Sequence, residues 1–115
     1  MSKPKLLFIC TANINRSRTA EDLFNGSDEY EAKSAGLIEP DYGGQVVTQE
    51  LVDWADRIFV MDEINDQHRT RLTRMFEMRG KEVNVLGIPD RYDRGEMALV
   101  ILLKSKLAVL NIPVS

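Results

Sequence analysis

The sequence predicts an α/β fold, a three-layer αβα arrangement built on a four-stranded parallel sheet. Three observations carry this prediction. Four short apolar runs alternate along the chain with four stretches whose apolar residues recur at helical spacing, in the order βαβαβαβα. The first run lacks the apolar–polar alternation of a half-exposed strand, which suits a central strand buried on both faces. Strands that alternate with helices imply right-handed crossovers, and these place helices on both faces of a parallel sheet.

Lys5 to Cys10 (KLLFIC) is that first strand, and a loop follows it directly. From Ser17 to Phe24 the residues Ala20, Leu23 and Phe24 define a helix, and Asn25-Gly26 supplies its stop. Tyr30 to Ala35 (YEAKSA) is a weaker strand, followed by the loop GLIEPDYGG, whose proline and glycines oppose regular structure. A second helix is expected over Val46 to Trp54, with Leu51 and Trp54 on one face, and a third strand over Arg57 to Met61. A third helix is expected over residues 63–79, carrying Leu72, Met75 and Phe76 and ending at Gly80. Val83 to Ile88 is the fourth strand, PDRYDRGE a loop, and Glu96 to Leu110 a last helix. Its run MALVILL reads as buried and is far short of the roughly 20 residues that cross a bilayer.

The 115 residues are expected to form a single domain, 1–115, since 43% hydrophobic residues suffice for one continuous core. Fifteen basic and 18 acidic residues are interspersed to a net charge of -3, which gives no footprint for nucleic acid, so an anion site has to be local. A lone cysteine staples nothing, and no signal peptide or apolar span is evident. A cytoplasmic protein with no membrane partner is the expectation. The apolar last helix fits either a monomer or a weak homodimer.

Ligands of open parallel sheets sit at the carboxyl ends of the strands. Cys10 ends the first strand and Asp90 follows the fourth, so both belong to that edge. Cys10 and Arg16 bracket a tight loop at a helix start, where unpaired backbone N–H groups can cradle an anion. Asn13 suits the positive φ of such a turn. Arg16 offers a planar fork for two phosphate oxygens, and the same positive field favours thiolate over thiol at Cys10. Ser17 can donate a hydrogen bond to that thiolate. Residue chemistry alone leaves Cys10 open between a buried structural thiol and a nucleophile. Phosphoryl transfer through cysteine also needs an acid to protonate the leaving oxygen. Asp90, stiffened by Pro89, is favoured over Asp93, which sits nearer the last helix as a cap. Tyr92 is either a wall of the substrate pocket or a surface residue.

The stretch CTANINRS at 10–17 resembles the phosphate-binding loop of the low-molecular-weight protein tyrosine phosphatases. That pattern is Cys, five residues, Arg, Ser, with Asn and Ile inside. Ser34-Ala35-Gly36 and Asp90-Arg91-Tyr92 stand where the family closes its second strand and carries its acid loop, and Ile88 to Tyr92 looks most like short bacterial members. The resemblance implies a phosphate-binding loop between strand 1 and helix 1, with Thr11, Ala12, Asn13, Ile14, Asn15 and Ser17 around the substrate. It further implies Cys10 as the nucleophile that forms a phosphocysteine, Arg16 as the holder of the phosphoryl oxygens, and Asp90 as acid and then base. It implies neither metal nor cofactor. The substrate would be a phosphorylated protein or a small aryl phosphate. The chain departs from the pattern at Ala12 (often Gly), Asn15 (often a second Cys), Arg18 (commonly Pro) and Arg91 (Pro).

Two other readings share the loop. An oxyanion-binding module needs Arg16 and the amides but no acid. An arsenate reductase needs further cysteines to pass a disulfide onward, and Cys10 is alone. Elsewhere, His68 reads as an exposed residue in the middle of the third helix, and Asp62, Glu63 and Asp66 as caps at its start. Trp54 and Phe76 read as core.

Overall fold

The computed structural model describes residues 3–38 and 44–114. Eight elements follow one another: β1 (Lys5–Cys10), α1 (Arg16–Asp22), β2 (Glu31–Gly36), α2 (Gln49–Trp54), β3 (Arg57–Val60), α3 (His68–Met75), β4 (Val83–Val85) and α4 (Met97–Val109). The strands form one parallel sheet in the order β2-β1-β3-β4. The chain moves from β1 to one side for β2 and then to the other for β3, so the order reverses at β1. A ligand crevice is expected where this happens, at the carboxyl end of β1.

Side chains alternate across β1 and divide the interior into two cores. Leu6, Phe8 and Cys10 face one, with Phe59 and Met61 of the neighbouring chain segment, Ala20 of α1, and Leu99, Leu103 and Leu107 of α4. Phe8 stacks on Phe24 and Phe59 at 5.8 and 5.2 Å between ring centroids. Leu7 and Ile9 face the other core, with Ile58, Val60, Val52 of α2 and Leu72 of α3. Helices therefore cover both faces, as the predicted three-layer fold requires.

The boundaries shift for local reasons. Val46 and Val47 remain extended, Val46 bridging to Gly36, and α2 begins only after Thr48, whose hydroxyl accepts the Leu51 N–H at 3.1 Å. The strand expected over Val83 to Ile88 ends at Val85. Leu86 and Ile88 still donate to the carbonyls of Val60 and Met61, but Gly87 between them turns to φ +73 and interrupts the ladder. Residues 63–67 are turn rather than helix, and α3 spans only His68–Met75, with Met75 exposed and Phe76 already extended and half-buried. The last helix is not buried all round: Leu99, Leu103 and Leu107 form its inner stripe, while Met97, Ile101 and Val109 are exposed. Trp54 is half-buried against the second core, with Lys33 Nζ 4.5 Å above its ring. Of the loop GLIEPDYGG, residues 39–43 lie outside the described residues.

Candidate active site

Cys10 is the last residue of the central strand and 3% exposed, and the chain then turns through residues 11–15 into α1. Asn13 makes the turn with φ +53, as expected from the sequence. Its side chain is buried and fully engaged. Nδ2 donates to Ser17 Oγ (2.8 Å) and Ser34 Oγ (2.9 Å), and Oδ1 accepts the Gln45 N–H (2.9 Å). The loop is also pinned to the chain leaving β2, where the N–H groups of Leu37 and Ile38 donate to the carbonyls of Cys10 and Thr11. Gly36 makes this approach possible. A Cβ there would stand 2.8 Å from the backbone of Ala12 and Asn13, so space, not backbone freedom, excludes a side chain. Gly44 is equally confined, since a Cβ on it would stand 2.7 Å from both the carbonyl oxygen and Oδ1 of Asn13.

Among the described residues, the backbone N–H groups of residues 11–15 donate to nothing in the protein. All but Asn13 are half-buried, and N–H groups left free around one tight loop can cradle an anion. Arg16 closes it. The guanidinium is 2% exposed, donates from Nη1 to the Ile88 carbonyl (2.8 Å), and pairs through Nη2 with Asp66 (3.0 Å). Asp90 Oδ1 lies 3.7 Å from Arg16 Nε and is largely exposed. Cys10, Thr11, Ala12, Ile14, Asn15, Arg16 and Asp90 line one small cleft of about 160 Å³. A site of this size suits a phosphoryl group with its ester outside, being below the usual range of whole-ligand pockets. A larger cleft of about 780 Å³ between the end of α1 and the start of β2 contains neither the thiol nor the guanidinium.

A hydrogen-bonded chain runs behind the thiol. The Ser34 hydroxyl donates to Glu21, so Ser34 Oγ receives the Asn13 amide. The second hydrogen of that amide goes to Ser17 Oγ, which leaves the Ser17 hydrogen for Cys10 Sγ, 2.9 Å away. Asn13 and Ser17 thus act from behind the cleft rather than in its wall.

The loop that carries Asp90 is fastened to α1 and its approach by three contacts. Asn15 Oδ1 accepts the Arg94 N–H (3.1 Å), Thr19 Oγ1 accepts the Gly95 N–H (2.9 Å), and Arg94 forms a two-pronged pair with Asp22. Asn15, which stands where a second cysteine is common, ties the two loops together. Tyr92 does not line the cleft. It packs against the first core with the Arg91 guanidinium 5.6 Å from its ring centroid. The Asp93 side chain caps nothing, because Glu96 is the residue before α4 and only the Asp93 backbone carbonyl accepts its N–H.

The expectation for His68 is overturned. It opens α3 instead of sitting in its middle, and it is wholly buried. Nδ1 accepts the Asp62 N–H (3.0 Å), and Nε2 lies 2.9 Å from Thr11 Oγ1. Burial first and the Arg16 guanidinium second push its pKa down to about 4, against the pull of Asp66 and Asp62. Glu63 caps α3, accepting both the N–H and the hydroxyl of Thr70, whereas Asp62 accepts the N–H groups of Asn65 and Asp66 in the turn ahead of the helix and does not cap it. Asp66 instead serves Arg16. Sequence reasoning therefore misses Glu21, Asp66 and His68. Two carry a signal, since Glu21 follows Ser17 by one helical turn and His68 precedes core Leu72 by one.

Sheet order, the loop at the carboxyl end of β1 and the buried arginine together define a small parallel α/β domain with its cleft at the switch point of the sheet. The family model described as low molecular weight phosphotyrosine protein phosphatase matches residues 5–50. Solved structures extend the likeness in fold to nearly the whole chain. A low molecular weight phosphotyrosine phosphatase from Vibrio cholerae O395 is 23% identical with a TM-score of 0.71, 94% of each chain being covered. Wzb from Vibrio vulnificus, solved with benzylphosphonate, is 24% identical with a TM-score of 0.73, over 95% of this chain and 97% of its own. The YwlE arginine phosphatase, solved as a cysteine-to-serine mutant with that active-site serine phosphorylated, is 23% identical with a TM-score of 0.68, over 92% of this chain and 94% of its own. No curated protein sequence matches. The chain is thus similar to the low molecular weight phosphotyrosine protein phosphatases in sequence through its loop and in fold throughout.

Proposed function

We propose that the protein is a cysteine-dependent phosphatase of the low-molecular-weight type, hydrolysing phosphomonoesters, with protein phosphotyrosine the first substrate. The observation that carries this reading is that one thiol, one buried guanidinium, one carboxyl group and the loop residues Thr11, Ala12, Ile14 and Asn15, whose amides are unpaired, line a single cleft. The amides and Arg16 hold the three peripheral phosphoryl oxygens and match their charge. Cys10 Sγ attacks phosphorus, forming the S–P bond as the P–O bond to the leaving group breaks, and protonated Asp90 gives that oxygen its proton. A water then attacks phosphorus, Asp90 takes its proton, and the S–P bond breaks to release phosphate. The Ser17 hydroxyl stabilises the sulfur as it departs.

The substrate-side contacts assigned to Thr11, Ala12, Ile14 and Asn15 rest on their place in the cleft wall. We read residues 1–115 as one domain acting in the cytoplasm. Among the described residues, no helix is long and apolar enough to cross a membrane.

The test is phosphate release from p-nitrophenyl phosphate and from phosphotyrosine and phosphoarginine peptides, with chelator present, by wild type and Cys10→Ser. Turnover that requires Cys10 supports the reading, and preference for the phosphoarginine peptide would move the substrate class while leaving the sulfur chemistry intact. A folded, reduced wild type that binds phosphate but releases none from any substrate replaces the enzyme with an oxyanion-binding module.

A further inference from the structure

The buried His68–Thr11 contact has a direction that can be worked out. His68 Nδ1 faces a backbone N–H, that of Asp62, which can only donate, so Nδ1 is the acceptor and carries no hydrogen. In a neutral imidazole the hydrogen is then on Nε2. Nε2 lies 2.9 Å from Thr11 Oγ1, and the hydroxyl oxygen must accept. Thr11 Oγ1 makes no other hydrogen bond among the described residues, so the hydroxyl hydrogen remains unused. Thr11 lines the cleft beside Cys10 and Arg16, next to the unpaired amides. The hydroxyl can thus add a hydrogen-bond donor to those amides.

We propose that Thr11 Oγ1 is an additional donor to the bound phosphoryl group, and that His68 is the positioning residue that fixes its hydrogen toward the cleft. The imidazole pins the hydroxyl oxygen from the protein side, so its rotor is directed to the ligand instead of sampling the wall. Asp66 completes the support from the same turn, since its carboxylate holds Arg16 at the other end of the loop. The turn before α3, through Asp66, and the first residue of α3, His68, therefore steady the last and the first side chain of the anion cradle.

This inference rests on the phosphate-site reading above, but its test needs no turnover. Inorganic phosphate is titrated into reduced wild type, Thr11→Val, Thr11→Ser, His68→Gln and the double variant Thr11→Val/His68→Gln by calorimetry, with folding checked by circular dichroism. Thr11→Val keeps the shape but removes the donor, and is expected to weaken phosphate binding about tenfold or more, in line with a hydrogen bond to a charged group. Thr11→Ser is expected to recover most of that loss. His68→Gln should weaken binding less than Thr11→Val, because its amide can still donate to the hydroxyl, and should add little when the hydroxyl is already gone. Phosphate affinity unchanged in a folded Thr11→Val protein, or losses in the two single variants that add fully, would overturn the proposal. If wild type binds phosphate through Thr11 yet hydrolyses nothing, the phosphatase reading falls while the donor assignment stands. If turnover is intact and phosphate binding ignores Thr11, the reverse holds.

Discussion

Ser17 Oγ lies 2.9 Å from Cys10 Sγ and already accepts an amide hydrogen from Asn13, so its own hydrogen is left for the sulfur. The Asn13 amide is held in that orientation by Ser34 and, through it, by the Glu21 carboxylate. Ser17→Ala is expected to lower kcat for p-nitrophenyl phosphate by about 10- to 100-fold, the size of losing one donor to developing charge. The rate of Cys10 alkylation by iodoacetamide in the variant should also differ from that of wild type. Wild-type alkylation kinetics in the variant would break the link between this hydroxyl and the thiol.

Asp90 and Asp93 part company in the structure. Asp90 lines the cleft and faces Arg16, whereas the Asp93 side chain is directed to neither the cleft nor a cap. Asp90→Asn is expected to lower kcat about 10²- to 10⁴-fold and to change the high-pH limb of the profile. Asp93→Asn should stay close to wild type in both. A profile altered by Asp93→Asn alone would exchange the two roles.

Gly36 is needed for its lack of a side chain. A methyl group there meets the backbone of Ala12 and Asn13 at 2.8 Å, and backbone on both sides has little room to yield. Gly36→Ala is expected to cost about 1–3 kcal/mol of stability and to lower phosphate affinity as well, because the displaced atoms belong to the loop. Urea denaturation read beside phosphate titration checks this, and a stable variant with normal affinity would contradict it.

His68 gives stability a pH dependence. In the folded protein it protonates only near pH 4, against 6.5 when unfolded, because of burial and Arg16, with Arg71 adding to this and Asp66 and Asp62 opposing it. The unfolded chain therefore binds the proton first as the pH falls. This contribution is fully present above about pH 6.5, declines as the pH is lowered towards 4, and amounts to roughly 3 kcal/mol. Urea midpoints measured from pH 7.5 to 4.5 should fall for wild type more steeply than for His68→Gln. Parallel curves would show that His68 does not titrate this way.

The strand–helix alternation, the parallel sheet and the position of the anion loop are legible because they depend on local patterns: an unbroken apolar strand, helical spacing, and a short loop with Asn13 at its turn. Element ends are less so. Gly87 interrupts a run that reads as continuous strand, and Thr48 delays a helix whose apolar period begins earlier. His68 misleads because its neighbours Gln67 and Arg69 are polar and exposed, while its own burial comes from a loop 57 residues away. Asp66 misleads for the same reason, since its partner Arg16 is distant in sequence. Long-range polar pairing leaves no periodicity to detect.

Cys10 ends β1, the strand paired on both sides, whereas Asp90 belongs to the segment after β4, a three-residue strand at the edge of the sheet. The two groups thus sit at opposite ends of the gradient of local opening. Amide exchange in β1 should require unfolding of the whole domain, while exchange around residues 90–93, ahead of the contacts that fasten Arg94 and Gly95, should proceed through small fluctuations. Fraying of that outer segment would withdraw Asp90, the proton donor proposed above, without disturbing the sulfur, so a heated or mildly denatured sample should lose any step that depends on Asp90 before it loses the ability to hold an anion.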